Sequence, residues 1–334
     1  MKTTVGVIGN GSWGTALAIH LANKDIDTFL WSRSKDQIEL MNDDRENKKY
    51  LPGVKFPEKL NVTGNLIYAL NCKIILCAIP TQFIRSTLSN VPDDLFKNKI
   101  LISASKGIEV ESLLRISEIF VQTHQIDINN FICLSGPSHA EEMSRGIPTT
   151  LVSASLNEDI AKKIVRLFSN ENLRVYESHD LIGVELGGAL KNVIAVCAGI
   201  IDGVGYGDNT KAALITRGLA EITRLGISLG AEAHTFSGLA GMGDLVVTCT
   251  SKHSRNRFVG EQIGKGKKLS QIIQEMNMIA EGIATTESAF KYAKKNKVEL
   301  PITNQVYEIL FKDKDPKKAI YELMTRSSKK EIWV

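Results

Sequence analysis

The sequence predicts an α/β N-terminal domain over residues 1–180, followed by an all-α C-terminal domain over 181–334. Three observations predict it. A β-branched stretch at 4–8 runs into a glycine turn and then a segment of helical character. Further apolar, strand-like runs recur as far as residue 178. Beyond it, apolar residues fall at helical spacing over 181–201, 209–229, 269–277, 282–295 and 302–311.

Length and composition narrow the function classes. The 334 residues suffice for two domains of ordinary size, and 43% hydrophobic with 23% charged residues is the balance of a soluble globular protein. The net charge of +4, from 41 basic and 37 acidic residues, is too small an excess to argue for nucleic acid. The lysine-rich stretches at 265–268 and 312–318 read as solvated surface. The N-terminal apolar run breaks at glycine too early for a signal peptide or a membrane span, and no other stretch is an uninterrupted span. The expectation is a cytoplasmic protein without membrane insertion. Five cysteines, Cys72, Cys77, Cys133, Cys197 and Cys249, show no CxxC pair and no zinc-like histidine spacing. They read as free thiols, and no metal site is expected.

In the first domain, Gly9-Asn10-Gly11-Ser12-Trp13-Gly14 follows the strand 4–8 and precedes TALAIHLANK. This is GxGxxG in its confirming context: Gly9 permits a tight turn, Gly11 lets backbone approach a pyrophosphate, and Gly14 lets helix pack on strand. The helix start adds free N–H groups and a positive dipole end. The domain therefore reads as a Rossmann-like dinucleotide-binding domain. The next strand, 28–31, ends in Trp31-Ser32-Arg33-Ser34-Lys35, with no acid until Asp36. An acid there would hold a ribose 2′-hydroxyl, whereas Arg33 suits a 2′-phosphate, or else faces solvent. The position favours NADP(H) and leaves NAD(H) usable. Runs at 73–80, 98–109 and 131–142 read as buried strands, the latter two leading to Lys106-Gly107 and Gly136-Pro137-Ser138. Strands at 149–155 and 172–178, with a helix between, complete the sheet.

The second domain carries one lysine in an unusual place. Lys191 is the only charged residue between Glu185 and Asp202, in a helix apolar on most faces. Burial there lowers a lysine pKa toward neutrality and makes it a usable proton donor or acceptor; the alternative is a lysine that snorkels to an ordinary ion pair. Gly238-Leu239-Ala240-Gly241-Met242-Gly243-Asp244 is glycine-rich and ends on an acid. Ser254-Arg255-Asn256-Arg257 reads either as a phosphate cradle or as a helix start capped by Ser254 with its arginines in water.

Together GNGSWGTALA, SKGIE, SGPSHAEE, GALKNVIAVCAGI, GLAGMGDLVVTCTS, SRN and AEG, in that order from Val5 to about Thr325, resemble the bacterial-type NAD(P)-dependent sn-glycerol-3-phosphate dehydrogenases. The resemblance implies that Ser12, Trp13, Arg33, Lys106, Ala140, Arg255, Ile279 and Glu281 contact the dinucleotide alongside Gly9, Gly11 and Gly14. It implies that Lys106, Gly136, Ser138, Lys191, Asp244, Ser254, Arg255 and Asn256 hold dihydroxyacetone phosphate or sn-glycerol 3-phosphate. Lys191 would be the acid/base, with Lys106 and Asp244 in the same catalytic group. A homodimer and a place in phospholipid synthesis are implied with it. Two other readings use the same layout: a ketopantoate-type reductase of keto or hydroxy acids, which has no need of the Ser254–Asn256 cradle, and a non-catalytic NADP(H) sensor, which has no need of Lys191.

Overall fold

The computed structural model describes residues 3–276, 278–327 and 331. They form two compact units: one runs up to Ser105 and resumes over Ile116–Leu181, and the other comprises Lys106–Arg115 and the chain from Ile182 onward.

The first unit is built on one sheet of eight strands: β1 (Thr4–Ile8), β2 (Asp27–Trp31), β3 (Leu60–Thr63), β4 (Ile74–Cys77), β5 (Ile100–Ser103), β6 (Phe131–Ser135), β7 (Thr149–Ala154) and β8 (Leu173–Ser178). Their order is β3-β2-β1-β4-β5-β6-β7-β8. Strands β1 to β6 run parallel, β7 joins β6 antiparallel, and β8 pairs parallel with β7. The first six positions are the 3-2-1-4-5-6 order of a dinucleotide fold. The apolar runs explain it: β4 and β6 are buried at every residue, as central parallel strands must be. The strands are shorter than those runs, because β5 stops at Ser103 and β4 at Cys77, and β3 carries too short an apolar pattern to stand out in sequence.

Seven helices connect these strands: α1 (Ser12–Asn23), α2 (Lys35–Asp44), α3 (Leu66–Leu70), α4 (Ile84–Leu88), α5 (Ile116–His124), α6 (Ala140–Met143) and α7 (Glu158–Phe168). Strands β2 and β4 flank β1, so the chain leaves β1 and returns on opposite sides. That reversal opens a crevice at the carboxyl ends of β1 and β4, the usual ligand edge of such a sheet. The charged segment 42–58 ends α2 and is irregular from residue 45 onward, but it is well tied. Arg45 donates to Leu60 O (3.0 Å) and Pro57 O (2.6 Å), Glu46 accepts from Gly53 N (2.9 Å), and Leu51 and Phe56 are buried in the sheet's core.

The second unit is helical: α8 (Leu181–Val204), α9 (Asp208–Ser228), α10 (Asp244–Thr250), α11 (Arg255–Gly264), α12 (Leu269–Glu275), α13 (Glu281–Asn296), α14 (Pro301–Lys312) and α15 (Pro316–Met324). Among the described residues, α8 is the one helix long and apolar enough to cross a membrane, and its whole apolar window is buried inside the protein. It lies against α11 at backbone contact. Glycines four apart on each helix, Gly199 and Gly203 on α8 and Gly260 and Gly264 on α11, make this approach possible. A Cβ at Gly260 would sit 1.9 Å from Val196 O, and one at Gly199 would sit 1.9 Å from Arg257 O. Asp202 of α8 then holds Arg257 of α11 through Nε at 2.7 Å. The start of α14 is held by buried Glu221 of α9, which accepts from Ile302 N (2.6 Å) and Thr303 N (3.1 Å).

Candidate active site

The chemistry of the helical unit centres on Asp244. The acid begins α10, directly after a wide helical turn at Leu239–Gly243, and is buried. A carboxylate so enclosed must be paired. Two lysines pair it. Lys191, from the middle of α8, donates to Asp244 Oδ1, and Lys106 donates to Oδ2 at 2.7 Å. Lys106 reaches it from a chain segment 138 residues away. That segment is fixed within the unit by the Arg115–Glu185 ion pair (2.6 Å) and by Ser288 Oγ donating to Ile108 O (2.9 Å).

Burial and charge tune these groups. Burial lowers the Lys191 pKa, Asp244 opposes that, and the Lys106 ammonium adds to it; the result is about 8. Burial pushes the Asp244 carboxyl up, but the two ammonium groups outweigh it and hold the pKa below the ordinary aspartate value. One carboxylate thus serves two cations. Thr248, one turn beyond Asp244 on α10, donates to Asp244 O (2.6 Å) and accepts from Lys191 Nζ (2.7 Å). Two of the three ammonium protons of Lys191 are thereby placed, and one is left to donate elsewhere.

A second chain of bonds runs from this cluster to α11 and α13. Asn192 donates to Lys106 O (3.3 Å), Asn256 donates to Asn192 Oδ1 (2.8 Å), and Gly282 N donates to Asn256 Oδ1 (2.9 Å). Lys106, Lys191, Asp244 and Asn256 are therefore one connected group. Ser254 caps α11, accepting from Arg257 N at 3.2 Å as the helix-start reading expects, but Arg257 pairs with Asp202 rather than lying in water, and the cap leaves the Ser254 hydroxyl proton for a phosphate. Arg255 and Asn256 occupy the first turn of that helix, Arg255 half-buried and Asn256 buried. Glu281 opens α13, and Ile279 just before it is exposed.

The other sequence-indicated residues belong to the sheet unit. Gly9 has φ +116° and Ala78 O 2.9 Å from where a Cβ would be, so glycine is required. A Cβ on Gly14 would meet Gly9 O at 2.1 Å, the close strand–helix approach expected of it. A Cβ on Gly11 would meet nothing within 4 Å, an open space at the start of α1. Ser12 is buried and Trp13 half-buried in the first turn. Asn10 Nδ2 and Trp13 Nε1 are buried donors without an acceptor among the described residues. Open space, orphan helix N–H groups and unsatisfied donors fit a dinucleotide pyrophosphate. Arg33 is exposed after β2, and Asp36 already lies in α2. Gly136 adopts φ +134° and its carbonyl accepts from Ser138 Oγ at 2.9 Å. Ala140 opens α6, which packs on α1.

Sequence reasoning passed over Thr248 and Asn47. The spacing of Asp244 and Thr248, i and i+4 on one helix face, could have signalled the first. Asn47 carries no local signal.

Residues 4–161 match the family described as NAD-dependent glycerol-3-phosphate dehydrogenase N-terminus, and residues 180–321 match its C-terminus. A Citrifermentans bemidjiense protein named glycerol-3-phosphate dehydrogenase (NAD(P)+) is 49% identical over 335 residues, covering 99% of both chains. A Geobacter protein of the same name is 49% identical over 333 residues, again covering 99% of both. The crystal structure of glycerol-3-phosphate dehydrogenase from Coxiella burnetii superposes with a TM-score of 0.92 at 36% identity, covering 97% of this chain and 99% of that one.

Proposed function

The chain belongs to the NAD-dependent glycerol-3-phosphate dehydrogenase family, and on that premise we propose that Lys191 is the proton-transfer group, held by Asp244 and assisted by Lys106. The activity itself is NAD(P)-dependent reduction of dihydroxyacetone phosphate to sn-glycerol 3-phosphate, the backbone of glycerophospholipids. Family membership sets aside the ketopantoate-type and sensor readings. In the assignment we propose, the sheet domain up to about residue 180 mainly serves the dinucleotide and the helical domain after it carries the acid/base and most of the phosphate contacts.

Bound NAD(P)H supplies the hydride received by C2 of the ketone. As that carbon is reduced, its oxygen gains negative charge. Lys191, protonated below about pH 8, gives its unplaced proton to that oxygen. Lys106 presents a second positive charge to the same oxygen and disfavours a doubly charged ground state of the pair. Asp244 fixes both ammonium groups, and Thr248 sets the direction of Lys191. In the reverse direction neutral Lys191 takes the hydroxyl proton. Ser254, Arg255, Asn256 and the α11 N-terminus grip the phosphate, and that remote binding positions C2; the family resemblance adds Gly136 and Ser138 as substrate contacts. The glycine turn with Ser12, Trp13 and Ala140 would hold the dinucleotide on the sheet unit, and the family resemblance adds Arg255, Ile279 and Glu281 as contacts.

The observation that supports this reading best is the shared carboxylate: two lysines on one buried Asp244, one of them with a pKa of about 8. Its test is Lys191→Ala. Turnover of dihydroxyacetone phosphate should fall by about a thousandfold, in the range for a removed acid/base, while NADPH binding stays within about twofold of the parent. Near-normal turnover would sink the assignment. We further propose that NADP(H) is preferred over NAD(H), because Arg33 and no acid follows β2. The protein is taken to act in the cytoplasm as a homodimer, which sedimentation velocity checks.

A further inference from the structure

Asn47 is fully buried although it lies in the charged, irregular segment after α2. Both hydrogens of its amide are used, one on the glycine turn and one on α1 just after it. Nδ2 donates to Asn10 O at 2.8 Å and to Thr15 Oγ1 at 2.8 Å. Thr15 Oγ1 in turn donates to Asn10 O at 3.2 Å. The other end of the amide is also committed, since Oδ1 accepts from Tyr50 N at 3.2 Å. Asn47 is itself held rigidly. Its carbonyl accepts from Leu51 N at 2.8 Å, and Leu51 is buried in the sheet's core.

We propose that Asn47 is a positioning residue for the dinucleotide, acting through the Asn10–Gly11 peptide. A peptide unit is planar and trans, so its carbonyl and its N–H point in opposite directions. Two donors draw Asn10 O to the Asn47 side. The Gly11 N–H is thereby turned to the other side, with the free N–H groups that open α1. Gly11 has no side chain to stop this peptide from rotating, and no side chain caps the start of α1. The orientation therefore has to come from outside the turn, and Asn47 and Thr15 supply it. The Asn10 side chain lies on the same turn, and its Nδ2 is a buried donor without an acceptor among the described residues. The pyrophosphate is the part of the ligand this would serve, so Asn47 should act equally on NADPH and NADH. This rests on the reading that the glycine turn holds the dinucleotide.

The experiment measures dissociation constants for NADPH and NADH by fluorescence titration, with steady-state kinetics on dihydroxyacetone phosphate, for Asn47→Ala, Asn47→Leu, Thr15→Val and Gly11→Val. Either Asn47 variant, whichever folds, should raise both dissociation constants by the same factor, about tenfold to a hundredfold as for a lost buried hydrogen-bond pair. Its kcat at saturating cofactor should stay within about threefold of the parent. Thr15→Val keeps the shape and removes the second donor, and should give a smaller rise, about threefold. Gly11→Val fills the open space and should abolish binding of both dinucleotides. A merely structural Asn47 would lower the melting temperature and leave the dissociation constants unchanged. Unchanged constants in the Asn47 variants, or a loss confined to kcat, while Gly11→Val abolishes binding, would overturn the proposal. Normal binding by Gly11→Val would instead overturn the assignment of the glycine turn.

Discussion

Replacing Asp244 by asparagine tests the charge logic of the site most directly. The change keeps the shape and removes the negative charge that Lys191 and Lys106 share. Two unit charges about 4 Å apart interact by about 4 kcal/mol at an effective dielectric of about 20. At 1.36 kcal/mol for each tenfold change in protonation, the Lys191 pKa should fall by up to about three pH units. Retained hydrogen bonding to the asparagine oxygen and relaxation of Lys106 reduce this, so we expect one to three. The parent value of about 8 leaves most of Lys191 protonated at pH 7.5. A fall of two pH units would leave about 3% protonated, roughly a 25-fold loss in the reduction rate. At pH 5.5 the variant would again be mostly protonated, and the loss should nearly vanish. The sign reverses for oxidation of glycerol phosphate, which needs neutral lysine and should begin at lower pH in the variant. The assay is NADPH consumption by parent and variant from pH 5.5 to 9, taken as a ratio at each pH so that titration of the substrate phosphate cancels. Circular dichroism at the same pH values checks that the variant is folded. An equal loss at pH 5.5 and 7.5 would refute the argument and leave Asp244 as a simple substrate contact.

Two other perturbations probe the frame. Arg33→Ala should weaken NADPH by about tenfold, the worth of one charged hydrogen bond, and leave NADH nearly unchanged; equal weakening of both would show that Arg33 does not read the 2′-phosphate. Gly260→Ala places a methyl 1.9 Å from Val196 O, so α11 must move off α8. Overpacking of this kind costs about 1–3 kcal/mol and should lower the melting temperature by several degrees. It should also raise KM for dihydroxyacetone phosphate, because Arg255 and Asn256 ride on α11. A variant that melts with the parent would mean the two helices have slack the geometry does not show.

Local chemistry made much of this protein legible in its sequence. The strand, glycine turn and helix at 4–23 are specified by β-branching, the φ that only glycine tolerates, and the absence of a Cβ at Gly14. The apolar runs of β4 and β6 point to buried strands, and the apolar surround of Lys191 pointed to burial against the alternative of a lysine snorkelling to an ordinary ion pair, which the fold then decided for burial. The motif order was enough to point to the family. What tertiary structure alone decided is which of these pieces meet. Lys106 follows a sheet strand in sequence, yet clusters with the helical residues and shares Asp244 with Lys191. That Ser254 caps α11 became visible only when Arg257 N was placed on its hydroxyl, a bond that leaves the hydroxyl proton for a phosphate. Asn47 is one polar residue in a charged loop until folding buries it against Asn10. The physical reason is common to all three. Backbone conformation follows from neighbours in the chain, whereas a pKa, a shared carboxylate or a locked peptide depends on groups tens to hundreds of residues away, whose pairing exists only once the chain has folded.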